Sequence, residues 1–207
     1  MAARDARRAV GADREDEVQD GRVQRSVRSR QRILDAMVEL VGEGELHPTG
    51  QQVADRAGVG LRTVFRHFED METLFSELRE RVEKELRPQV TPRPVTGSLD
   101  ERLRAFARGR ARAFERMAPY QRSERIHRWN SAVMRDSHAM MLREQRAHLL
   151  AVLPEVESLP PELRQAVEVV TGFEFWDLLR TDQGLGVARA EETLRETTRT
   201  LLAGAKS

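Results

Sequence analysis

The 207-residue sequence contains no cysteine, which excludes disulfides, thiolate nucleophiles and Cys-ligated zinc. Aromatic residues make up only 5% of it, too few for a β-rich core. It has no excess of either charge, with 35 Lys and Arg against 34 Asp and Glu. The chain as a whole therefore does not attract a polyanion, and any affinity for nucleic acid must come from local placement of charge. No apolar run approaches a membrane span. The opening MAARDARRAVGADRED lacks the apolar centre of a secretory signal. A cytoplasmic protein with no membrane partner is the expectation.

What is present points to an all-α fold. Leu, Ala, Val, Glu and Arg dominate, and 33% of residues are charged. The length suffices for one large or two small domains with a real core. Residues 1–24 are polar, charged and aperiodic, and are expected to form a disordered arm. Ile33, Leu34, Met37, Leu40 and Val41 then recur at helical spacing up to Gly42 and Gly44. Thr49 with Gln52 reads as a capping box opening a second helix, which Gly58 ends. A third helix is expected over residues 61–67. A fourth is N-capped by Asp70 and carries Met71, Leu74, Phe75, Leu78, Val82 and Leu86 on one stripe.

The stretch RPQVTPRPVTGS reads as a linker, so domains are expected over 25–87 and 98–207. In the second, the periodicity predicts helices over 98–118, 121–128, 130–152, 161–181 and 187–204, with Pro119 separating the first two.

The second and third helices, joined by a tight glycine turn, have the form of a DNA-binding helix-turn-helix. On a helical wheel Val64 and Phe68 face inward, while Arg62, Thr63 and Arg66 point away, with no acid among residues 61–68. Arginine bonds guanine or phosphate, and a threonine methyl or phenylalanine ring meets a thymine methyl. Backbone N–H groups near Gly50 and Gln51 offer a phosphate seat at the start of the second helix.

Residues 29–78, and above all "AGV…TVFRHF", resemble the N-terminal domain of the tetracycline-repressor (TetR) family. The resemblance implies a transcription regulator, most often a repressor. It would bind a palindromic double-stranded DNA operator as a homodimer and be released by a small-molecule effector, with no catalysis and no cofactor. Carried over by position, it implies DNA contacts from Thr49, Gln51, Arg62, Thr63, Phe65, Arg66 and His67. Phe65 stands where the family commonly has tyrosine and Met71 where lysine is common. Phosphate anchoring is therefore expected to lean on Arg25, Arg28 and Arg30.

In the second domain the residue pattern leaves alternatives open. Arg110 falls in the middle of an apolar face with Leu103, Phe106, Ala107, Ala113, Phe114 and Met117. It is half of an ion pair, for example with Asp177, or snorkels to solvent, or anchors a ligand. The resemblance implies that a ligand pocket draws on Phe106, Arg110, Phe114, Trp129, Met134, Met141, Phe173 and Trp176. The segment 161–181 is apolar on two sides, so it is expected to be buried on both, with Gly172 admitting a neighbouring helix. With the last helix it suits the family's four-helix dimer face. The rival class is a metal-dependent helical-bundle enzyme. Glu124 and His127 have the Glu-x-x-His spacing of such sites, but no second copy occurs. Glu144 and His148 lie one helical turn apart and could clip a metal.

Overall fold

The computed structural model describes residues 23–90, 96–129 and 131–204. Among these the secondary structure is helical throughout: α1 (residues 23–42), α2 (Gly50–Ala57), α3 (Leu61–His67), α4 (Met71–Val90), α5 (Leu99–His127), α6 (Ala132–Val152), α7 (Pro161–Val170), α8 (Phe173–Thr181) and α9 (Val187–Ala203). A single 3-10 turn, Pro154–Ser158, lies between α6 and α7. The expected arm lies outside the described residues except for Val23 and Gln24, which are helical. The chain forms two compact units, residues 1–78 and 79–207. This division falls inside α4, whereas the sequence pattern draws it at the proline-rich stretch, whose residues 91–95 are outside the described set.

In the first unit the local signals act as their chemistry dictates. Thr49 Oγ1 accepts the Gln52 N–H at 3.2 Å and the Gln52 side chain accepts the Thr49 N–H at 2.8 Å, so the capping box is closed. Gly58 ends α2 at φ 62°, ψ 42°, a left-handed conformation that glycine enters without strain. Asp70 Oδ1 accepts the Thr73 N–H at 2.7 Å and starts α4. Ile33, Met37 and Val41 of α1, Val53 and Ala54 of α2, Val64 and Phe68 at α3, and Leu74, Phe75 and Leu78 of α4 are buried.

The second unit is organised around α5. Its first half joins α6, the 3-10 turn, α7 and the end of α9 in a cluster that includes Leu103, Phe106, Leu149, Leu153 and Val167. Its middle joins α8 and the start of α9 in a second cluster, around Phe114, Phe173, Trp176 and Leu194. Arg102, bonded to the Val152 carbonyl at 2.7 Å and paired with Glu155, ties α5 to the 3-10 turn.

Two helix boundaries differ from expectation. Pro119 does not end a helix; α5 runs through it. Proline inside a helix forfeits one hydrogen bond and costs about 3 kcal/mol. The buried face nevertheless continues across it in register, through Phe114, Ala118 and Gln121, and that packing outweighs the lost bond. The segment 161–181 is not one helix but two, broken at Thr171 and Gly172. Thr171 Oγ1 turns back to the Val167 carbonyl at 2.8 Å, and Gly172 is extended at φ −84°, ψ 169°. The break switches the buried face: Val167 is buried before it and Phe173 and Trp176 after it, while Val169 (67% exposed) and Leu178 (51%) stay at the surface. Two apolar sides thus become two helices with one buried face each. Within this chain no neighbouring helix packs on Gly172. A Cβ there would meet the carbonyls of its own preceding turn, Val169 at 3.3 Å and Glu168 at 3.5 Å.

Candidate functional site

The outer face of α3 is built by its own inner face. With Val64 and Phe68 buried, helical geometry turns Arg62, Phe65 and Arg66 outward, and all three are exposed. Neither Arg62 nor Arg66 is paired with an acid among the described residues. Thr63 is half-buried beside them. Phe65 is 45% exposed, yet it is held: Gly50 has no side chain, and a Cβ there would come within 3.1 Å of the Phe65 ring and 3.2 Å of Leu61 Cδ1. The first residue of α2 therefore forms the seat for the aromatic side chain of α3, a role that the spacing of the two residues in the sequence does not reveal.

At the start of α2 the capping box occupies the Thr49 and Gln52 N–H groups. The N–H groups of Gly50 and Gln51 are left without an acceptor among the described residues. That is the arrangement of a helix N-terminus open to an anion. Gln51 Nε2 donates to Asp55 at 2.7 Å, which fixes the side chain along α2.

Two expectations shift here. His67 is half-buried with Nε2 enclosed and unbonded, and burial, followed by the charges of Arg66 and Arg30, lowers its pKa. It supports the helix end more than it presents a polar edge. Arg30 is engaged within its own unit: its guanidinium lies 4.8 Å over the Phe68 ring and pairs with Glu77. Arg28 is exposed on α1.

In the second unit the structure brings most of the expected interior residues together. Phe114 meets Phe173 edge-on at 5.7 Å and Trp176 at 6.2 Å. Trp176 Nε1 donates to Glu115 at 3.0 Å, and the same carboxylate takes Arg180. Phe106 is buried in the neighbouring cluster. Met134 is buried, and Met141 lines a cavity of about 10 Å³, room for one water, with Phe173, Gln121, Glu124 and His138. Trp129 does not belong with them. It lies past the end of α5, 75% exposed, with Arg128 at 5.9 Å from its ring. Once the helix ends at His127, its periodicity no longer fixes which way the next side chain points.

Arg110 is buried, 7% exposed. Asp177 is not its partner, since that carboxylate pairs with Arg122 at 2.7 Å and Arg125 at 3.5 Å. Nor does it snorkel. Its guanidinium lies 5.0 Å from the Phe106 ring and 5.7 Å from the Phe114 ring, and donates one hydrogen bond, to the Gln145 carbonyl at 2.7 Å. Nε is enclosed and has no partner. Burial pushes its pKa down to about 10.

Two residues of the metal-site motifs have other neighbours. Glu124 Oε1 lies 3.7 Å from His138 Nδ1, and burial raises the Glu124 pKa and lowers that of His138. His148 stacks on Phe106 at 5.4 Å between ring centroids. Among the described residues no group of three or more His, Asp or Glu side chains is placed to hold a metal ion. No helix among them is long and apolar enough to cross a membrane.

Fold and surface together define a helix-turn-helix unit, of the kind that carries nucleic-acid recognition, followed by a helical second unit. Residues 33–78, from α1 into α4, match the family described as bacterial regulatory proteins, tetR family. The match lies within the helix-turn-helix unit, which is a domain of the tetR type, and it does not extend into the second unit. Among solved structures it is similar to a transcriptional regulator from Rhodococcus sp. Rha1, at 18% identity and TM-score 0.63, over 88% of this chain and 98% of that one. It is also similar to the multidrug binding protein EbrR complexed with imidazole, at 20% identity and TM-score 0.58, over 83% and 93%. A regulator from Streptomyces coelicolor A3(2) aligns at 21% identity and TM-score 0.56, over 82% and 98%. At these identities the likeness is one of fold. No curated protein matches the chain in sequence.

Proposed function

We propose that the protein is a ligand-responsive repressor of the bacterial cytoplasm that binds a palindromic operator as a homodimer and leaves it when a small molecule enters the second unit. The observation that carries the DNA half of this reading is the outer face of α3. Arg62 and Arg66 stand outward and unpaired by any acid among the described residues, with Phe65 seated on Gly50 and Thr63 beside them. Such a helix fits a major groove, with arginines for guanine and phosphate and apolar groups for thymine methyls. The free N–H groups of Gly50 and Gln51, with Thr49 at the rim, supply a backbone phosphate contact that fixes register but carries no sequence information.

The dimer half is supported by the exposed apolar residues Val169 on α7 and Leu178 on α8, which the fold leaves uncovered in one chain. The effector half is supported by Phe114, Phe173 and Trp176, gathered around the second unit's interior, and by the EbrR relative, whose solved structure holds a small molecule.

Selection of binding sites from random duplexes with the purified chain tests the proposal. The expected product is a palindrome with half-sites about one helical turn apart. Leu178→Glu is expected to yield monomers that keep their helical content and bind the selected site far more weakly, because the two half-sites are then no longer engaged by one particle. Recovery of sites with no dyad, or an intact dimer in the variant, would overturn the homodimer reading.

A further inference from the structure

The second unit contains a buried cation, Arg110, that pairs with no acid among the described residues. Arg110 sits between Phe106 and Phe114, one helical turn to either side on α5, with a single hydrogen bond, to the carbonyl of Gln145 within α6. The acids of the surrounding helices are engaged elsewhere: Glu115 by Arg180 and Trp176, Asp177 by Arg122 and Arg125, Glu155 by Arg102, Glu168 by Arg146. A guanidinium keeps its charge even when burial lowers its pKa to about 10, so at neutral pH an unneutralised charge lies inside the unit.

A second polar atom in the same place is also unmet. His148 of α6 stacks on the Phe106 ring at 18° between planes, its Nε2 enclosed and unbonded. Burial, followed by the charge of Arg110, lowers the His148 pKa to about 4, so the ring is neutral and supplies a hydrogen bond but no second charge. Arg110 Nε–H and His148 Nε2, both facing the Phe106 ring, form a pair of unused polar groups beside one fixed positive charge.

We propose that this pair is the anion-binding end of the effector site, and that the effector is a monocarboxylate on an apolar body. One carboxylate oxygen accepts from Arg110 Nε–H and the other from His148 in its Nε2–H tautomer. A phosphate dianion does not suit the place, since one cation with one N–H group already in use leaves its second charge and remaining oxygens unsatisfied. The apolar body runs along Phe114 to Phe173, which also borders the small cavity shared with Met141. α5 and α6 are packed around the guanidinium, so the ligand enters a conformer in which they stand further apart. That conformer is the one the ligand stabilises. This inference rests on reading the second unit as the effector domain.

The test uses the full chain with benzoate, hexanoate and decanoate as carboxylate probes, and benzyl alcohol and benzylamine as neutral and cationic controls. Thermal unfolding and calorimetric titration are read for the wild type, Arg110→Met and Arg110→Lys, and affinity for the selected DNA is measured with and without each probe. The expected result is saturable stabilisation of the wild type by at least one carboxylate and none by the controls. Arg110→Met, folded and melting no lower than the wild type, should bind that carboxylate about tenfold more weakly or worse, the value of a charge-assisted hydrogen bond. Arg110→Lys should fall between. Binding of no carboxylate, equal binding by Arg110→Met, or equal binding of benzyl alcohol would overturn the proposal. The DNA arm separates it from the broader reading. A carboxylate that binds through Arg110 and leaves DNA affinity unchanged supports the anion site and sinks the effector role. Release of DNA by benzyl alcohol with no carboxylate bound does the reverse.

Discussion

Both units place an arginine over phenylalanine, and they close the arrangement differently. In the first, Arg30 lies 4.8 Å over Phe68 and meets Glu77, a carboxylate from another helix of the same unit. In the second, Arg110 lies 5.0 Å and 5.7 Å from two rings and meets no carboxylate. The stacking attraction is similar, about 0.5–1 kcal/mol at a partly exposed site and more when desolvated. What differs is the compensation for removing the charge from water. At Arg30 the cost is small, because the side chain remains 42% exposed, and an acid is present to offset it. At Arg110 burial is nearly complete and the acid is missing. The proposed carboxylate would supply at Arg110 the counter-charge that Glu77 supplies at Arg30.

The largest effect expected sharpens the contrast between outward and inward arginines. Arg66→Ala should weaken binding to the selected site by about 1–3 kcal/mol while binding to random duplex changes little. Arg110→Met should leave the ligand-free affinity for either DNA unchanged. Equal loss on both DNAs for Arg66→Ala would reduce that residue to phosphate neutralisation. Loss of DNA binding in Arg110→Met would erase the distinction between the two units.

The next effect sets Arg30 directly against Arg110, with opposite signs. Arg30→Met should destabilise the protein by about 1 kcal/mol, the sum of a partly exposed ion pair and its stacking. Arg110→Met should stabilise the ligand-free protein by about 1–3 kcal/mol, since methionine fills the space and removes an uncompensated buried charge. Denaturant unfolding of both variants decides it. A loss in both would mean that the packing and hydrogen bond of Arg110 outweigh its desolvation.

The first unit was largely legible in the sequence because its determinants are local. The Thr49 and Gln52 box, Gly58 in the turn and Asp70 at the start of α4 each act within four residues, and the inner positions Val64 and Phe68 leave the outer face of α3 no choice. The second unit was legible as helices and as a set of interior residues, but not in its joints. Pro119 reads as a stop, yet α5 passes it because buried positions continue in register. Residues 161–181 read as one helix apolar on two sides, and only packing shows that Thr171 and Gly172 divide it. Arg110 was visible as an anomaly on an apolar face. Its lack of an acid was not, because that depends on Asp177 finding Arg122 and Arg125, residues that lie more than fifty positions away in the chain. The Gly50 and Phe65 contact and the Phe106 and His148 stack are likewise products of the fold, with no signal in either residue alone.

A smaller effect probes the inward pair by pH. The His148 pKa in the folded protein, about 4, lies below its ordinary value of 6.5. Below pH 6.5 the unfolded chain binds a proton that the folded chain refuses, so stability falls as the pH drops from 6.5 and levels off below 4. Part of this depression comes from the charge of Arg110. In Arg110→Met the fall should be shallower and its lower limit should move up in pH. Arg30→Met should alter the profile only through His67, whose pKa burial and the charges of Arg66 and Arg30 lower. An identical pH profile in wild type and Arg110→Met would mean that burial alone sets the His148 titration and that the two groups do not form one site.

The smallest effect on stability tests the other side of the comparison, the seating of Phe65. Gly50 is the first residue of α2, in ordinary helical backbone, so alanine there gains up to about 1 kcal/mol of helix propensity. Its Cβ would lie 3.1 Å from Phe65 Cζ and 3.3 Å from Cε2, closer than a comfortable contact. The ring is exposed and turns aside at little cost, so Gly50→Ala should leave the melting temperature within a degree or two of the wild type. Recognition should respond more than stability does, because the ring is displaced on the face proposed to enter the groove and the new methyl narrows the approach to the Gly50 and Gln51 N–H groups. The expected outcome is weaker binding to the selected site, with the loss concentrated at the base pairs whose substitution also affects Phe65→Leu. A variant that binds its site as tightly as the wild type would show that Phe65 is held by α3 alone, and that Gly50 is glycine only because a helix begins there.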